Sequence, residues 1–163
     1  MEALLKKIYS MPRLYPALGI LSKIIVVLTL PAFLLIVWHG YTVSPFSAIK
    51  VCLICGVPFL IVSVARRIIN APRPYELYTF YERAPKNKSG SSFPSRHAFS
   101  VFVIATVTLF AYPAVGAVLL LLGVTLCVCR VLTGIHFIRD VLTGALIGVI
   151  SGIAGVLLFS PFV

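Results

Sequence analysis

The sequence predicts an all-α membrane protein, a polytopic bundle of about five transmembrane helices with a short interfacial helix at its N-terminus. Two observations predict this. Of the 163 residues, 60% are hydrophobic and only 11% charged, and mean hydropathy is +1.08. A soluble domain of this length cannot bury so much apolar surface. The apolar residues also fall in long uncharged runs, and a spanning helix needs about 20 such residues.

Residues 1–21 carry Lys6, Lys7 and Arg13 and are interrupted by Pro12 and Pro16. This composition suits a basic segment on the membrane surface rather than a cleaved signal. Spans are expected near 23–43, 47–66, 97–115, 116–132 and 140–161. The third and fourth form one apolar stretch, divided at Tyr112-Pro113 and Gly116. The chain reads as one integral-membrane domain, 1–163, whose chemistry-bearing motifs lie within 66–140. In the last span Gly144, Gly148 and Gly152 recur every four residues, a stripe that lets another helix approach closely. It serves either packing within the chain or a homodimer. Cys52, Cys55, Cys127 and Cys129 sit inside spans and read as small apolar side chains.

Charge is unevenly placed. With five spans, every Lys and Arg except Lys50 lies on one side, together with Glu2, Glu76, Glu82 and Asp140. Positive charge accumulates in cytoplasmic loops, which orients that side toward the cytoplasm of a cell membrane. The basic residues flank spans and form no separate basic domain, so nucleic acid is not an expected partner.

Three segments on that side carry chemistry. Arg66 and Arg73 bracket the exit of the second span, and Pro72 and Pro74 hold the chain extended there. Next, Ser89–His97 leads into the third span. Pro94 suits a first helical turn and Ser91 or Ser92 a cap. The helix start makes an anion site, to which Ser95 adds a hydroxyl and Arg96 a fork of donors. Finally, Arg130 precedes His136 and Asp140, which are four residues apart. On a helix that spacing shares one face, so Asp140 can fix the imidazole tautomer. Two histidines, four arginines and an aspartate at one membrane face suit phosphoryl transfer.

The three segments resemble the signature of the type-2 phosphatidic-acid phosphatase family, whose fold is shared with vanadium haloperoxidases. The signature K-x6-RP, PSGH and SR-x5-H-x3-D is matched by Arg66-x6-Arg73-Pro74, by Pro94-Ser95-Arg96-His97, and by Cys129-Arg130-x5-His136-x3-Asp140. The resemblance implies that His136 is phosphorylated, Asp140 orients it and His97 protonates the leaving group. It also implies that Arg66, Arg73, Ser95 and Arg130 bind phosphate and that no metal or other cofactor takes part; Arg96, where the family has Gly, either adds a phosphate contact or guards the entrance. Arg66 stands for the usual Lys, Arg96 for Gly and Cys129 for Ser.

The implied activity is hydrolysis of a lipid phosphate: a polyprenyl phosphate or diphosphate, phosphatidylglycerol phosphate or phosphatidic acid. A phosphotransferase and a non-catalytic lipid-phosphate binding or transport protein are the alternatives. Tyr75, Tyr78, Phe80 and Tyr81 belong to an aromatic loop, Tyr75–Lys88, expected to lie over the site at headgroup level.

Overall fold

The computed structural model describes residues 2–78 and 89–162, which form seven helices and no strand. They are α1 (Glu2–Ser10), α2 (Leu14–Val43), α3 (Pro45–Ile69), α4 (Pro74–Leu77), α5 (Arg96–Ala111), α6 (Pro113–Leu132) and α7 (Ile138–Phe159).

The four helices α2, α3, α6 and α7 are long and apolar enough to cross a membrane. Their outer faces present Val27, Leu30, Leu121, Leu142 and Leu157, each more than half exposed. A continuous apolar exterior of this kind suits lipid rather than water. The third expected span is shorter than 97–115. Helix α5 has 16 residues, about 24 Å at 1.5 Å per residue. It is the central helix and packs on α2, α3, α6 and α7. Phe99, Val101, Val103, Ala105 and Val107 are all buried, so its surroundings are mostly protein.

Helix α2 begins at Leu14, well before the span start expected at 23. Pro16 is its third residue, and first-turn N–H groups have no intrahelical acceptor to lose. The separate N-terminal helix is therefore only α1. Its buried Leu5 packs on Tyr75, with Tyr9 and Tyr15 beside them.

The turns follow from sequence. Ser44 caps α3, its Oγ accepting from Ser47 N–H at 3.0 Å, and Pro45 takes the first helical position. Tyr112-Pro113 divides α5 from α6 as expected. The glycine stripe of α7 faces α5. A Cβ on Gly148 would meet Phe99 O at 2.7 Å, and one on Gly152 would meet Thr106 Cβ at 2.8 Å. Gly144 lies against Ser95 O. The Gly144/Gly148/Gly152 face, also suited to a homodimer, is filled by α5 of the same chain.

Candidate active site

Helix α6 ends in a Schellman motif. Gly134 adopts a left-handed conformation (φ 69°), its N–H donates to Val131 O at 3.0 Å, and Ile135 N–H donates to Arg130 O at 3.1 Å. His136 follows at once. It lies in this turn, not on the helix that its spacing to Asp140 suggested, because α7 starts only at Ile138. The pair meets through the helix start instead. Asp140 is the third residue of α7, and its Oδ2 accepts from Phe137 N–H at 3.0 Å. That reach-back brings Oδ2 to 3.5 Å from His136 Nδ1.

A third member joins them. Ser92 Oγ donates to Asp140 Oδ2 at 2.5 Å and lies 3.3 Å from His136 Nδ1. All three residues are buried. The consistent proton assignment has His136 Nδ1–H donating to Ser92 Oγ while Ser92 O–H donates to Asp140. This leaves the Nε2 lone pair of His136 free to react. Burial pushes the His136 imidazole below its ordinary value, and the charges of Arg73 and Arg66 push the same way against Asp140. The ring is therefore neutral near pH 7.

The segment carrying Ser92 is latched to the end of α3. Asn70 closes α3 in a left-handed conformation (φ 44°), and its Oδ1 accepts from Ser91 N–H at 3.1 Å. Ser92 N–H donates to Ala71 O at 2.9 Å. Glu76 spans both strands of this latch, accepting from Arg73 N–H at 2.7 Å and from Gly90 N–H at 2.8 Å.

The cations of the first segment are held by backbone carbonyls. Arg66 is buried in the last turn of α3 and donates from Nη1 to Pro94 O at 3.2 Å. Arg73, also buried, donates from Nε to Gly90 O at 3.0 Å. These bonds leave other guanidinium N–H groups to meet an anion.

The second segment differs from expectation in its cap. Helix α5 starts at Arg96 and its N-cap is Ser95, whose Oγ accepts from Ala98 N–H at 3.5 Å. Pro94 precedes the helix, joined to Phe93 by a cis peptide. Ser95 is buried, and its N–H donates to Asp140 O at 2.9 Å. Arg96 lies beside α3, with Cζ 5.8 Å from the Phe59 ring centroid, and its charge acts on Arg66 and His97.

His97, in the first turn of α5, lies within electrostatic reach of His136, Arg130, Arg96 and Arg66. Its buried Nδ1 and the buried Nε of Arg130 have no hydrogen-bond partner among the described residues. Both line a cavity of about 460 Å³, and His136 borders another of about 240 Å³ on the side covered by Leu5 of α1. The structure thus places His97, Arg66, Arg73 and Arg130 around one His136–Asp140 pair, at the helix ends of one face. Of the aromatic loop, Tyr75 is buried against Leu5, and its N–H donates to Gly134 O at 3.2 Å. Phe80 and Tyr81 lie outside the described residues.

The sequence pattern of the PAP2 superfamily matches residues 47–162. The chain belongs to the PAP2 superfamily. No curated protein matches it, but solved structures do. It is similar to the transmembrane PAP2-type phosphatidylglycerolphosphate phosphatase of Bacillus subtilis, with TM-score 0.74, 21% identity, and coverage of 98% of this chain and 84% of that one. It is also similar to Aquifex aeolicus LpxE, with TM-score 0.70, 24% identity, and coverage of 95% and 93%. These likenesses establish the fold of this PAP2 chain, a polytopic helical bundle.

Proposed function

We propose that this PAP2 protein is an integral-membrane lipid phosphatase that works through a phosphohistidine at His136. The observation that carries the reading is the buried Ser92–Asp140–His136 arrangement, which holds a neutral imidazole with Nε2 free near Arg66 and Arg73, with Arg130 beside His97. The three guanidinium groups neutralise the phosphate oxygens as charge builds in the transition state. His136 Nε2 forms a bond to phosphorus while the bond from phosphorus to the leaving oxygen breaks. His97 gives that oxygen its proton. Water then attacks the phosphohistidine, His97 takes a proton from it, phosphate departs and His136 recovers its lone pair.

One neighbour in fold is titled a phosphatidylglycerolphosphate phosphatase, and the site lies at the ends of helices long and apolar enough to cross a membrane. Both support a lipid phosphate as substrate. Polyprenyl phosphates and diphosphates, phosphatidylglycerol phosphate and phosphatidic acid all present the terminal phosphate that the arginines require.

The test is phosphate release from a panel of these lipids in detergent with EDTA present. Release should persist in EDTA, and His136→Ala should lower it by about 10⁴-fold or more. Loss of activity on chelation, or an active His136→Ala, refutes the mechanism.

A further inference from the structure

The cavity that reaches His97 and Arg130 has a second wall that the PAP2 motifs do not supply. Tyr15, Gly19, Ser22 and Lys23 of α2 line it. Their spacing of three and four residues is one face of a helix. Lys23 is exposed. No carboxylate lies within ion-pair distance of it among the described residues. A cation in a membrane helix is costly unless it meets water, a headgroup or an anion, and Lys23 lines the same cavity as two active-site groups. The space beside the neighbouring Gly19 is open, since an added Cβ there would meet nothing within 4 Å.

We infer that Lys23 is a specificity-determining residue that binds a second phosphate, one carried by the leaving group itself. The inference rests on the phosphatase reading above. His97 protonates the leaving oxygen, so whatever that oxygen belongs to must lie on the His97 side of the reacting phosphorus. That side is the α2 cavity of about 460 Å³. An alcohol leaving group has nothing there for an ammonium to bind. A leaving group bearing its own phosphate does, and a charge-assisted contact to it is about twice as strong as a neutral one. The preferred substrates are thus lipids with two phosphates. In a polyprenyl diphosphate the second phosphate adjoins the breaking bond, whereas in phosphatidylglycerol phosphate it sits one glycerol away.

The experiment compares kcat/KM for a polyprenyl diphosphate, phosphatidylglycerol phosphate and phosphatidic acid, in detergent, for the native protein, Lys23→Gln and Lys23→Arg. The native protein should favour a two-phosphate lipid over phosphatidic acid. Lys23→Gln should lower kcat/KM for that lipid by about 10- to 100-fold and leave phosphatidic acid within about threefold. Lys23→Arg should restore most of the loss. A fall on the diphosphate alone puts the second phosphate next to the breaking bond, and a fall on phosphatidylglycerol phosphate alone puts it one glycerol away. Equal loss on all three lipids, or no loss on any, overturns the inference while leaving the phosphatase reading intact. If the native protein releases no phosphate from any lipid, both readings fall together.

Discussion

His136 is buried beside two arginines, and that setting fixes how it responds to pH. Its folded-state pKa is lowered, mainly by burial, so the ring stays neutral below the ordinary imidazole value of about 6.5. The acid limb of kcat/KM assigned to this group should therefore fall below pH 6.5, not at it, as a pH–rate profile would show. The same shift makes the folded state bind fewer protons than the unfolded chain. Its stabilising share is present above pH of about 6.5 and is lost as pH drops through the folded-state value. Asp140→Asn should cut kcat by about 10³-fold by losing the preferred tautomer. Ser92→Ala should cut kcat about 10-fold with little change in KM, and should cost about 1–3 kcal/mol of stability by leaving a buried carboxylate short of a donor. The histidines, the aspartate and the arginines were legible in the sequence because ionisable residues at the ends of apolar runs stand out. Ser92 was not. By type and position it suits a helix cap no better than Ser91, and its contact with Asp140 depends on a latch made by Asn70, Ala71 and Glu76, whose polar residues follow no period.

At the scale of elements, the turn before His136 and the seam between α5 and α7 fix the geometry. Gly134→Ala should cost about 1 kcal/mol, because φ 69° disfavours any Cβ. It should also lower kcat by shifting His136. Thermal unfolding in detergent and steady-state rates would check the two effects separately. Gly148→Leu should be more severe, since a Cβ alone already meets Phe99 O at 2.7 Å, and is expected to leave little folded protein on size exclusion. The helix order and the Tyr112-Pro113 break could be read from hydropathy and proline chemistry. The start of α2 could not, because Pro16 looks like a breaker until its place in the first turn is known. A small-residue stripe likewise does not say which helix will lie on it.

Across the whole molecule, the proposed catalytic groups sit at the ends of α3 and α6 and the starts of α5 and α7. Lys50, in the second turn of α3, lies at the opposite end of that helix from Arg66. Single cysteines introduced at Glu2 and Arg139, in a background where Cys52, Cys55, Cys127 and Cys129 are replaced, should be labelled by an impermeant thiol reagent from one side of sealed vesicles. A cysteine at Lys50 should be labelled from the other. The positive-inside rule predicts that Glu2 and Arg139 face the cytoplasm. Composition revealed the polytopic architecture, because apolar excess has few other outlets. It did not reveal that α5 is enclosed by its neighbours, since apolar residues facing lipid and those facing protein look alike. Asp140 holds His136 through its carboxylate and the beginning of α5 through its carbonyl. If α7 tilts or slides to match a thicker or thinner bilayer, these contacts should carry the His136 turn and the start of α5, where His97 sits, along with it. The spacing of the two histidines should then vary little with the thickness of the surrounding lipid.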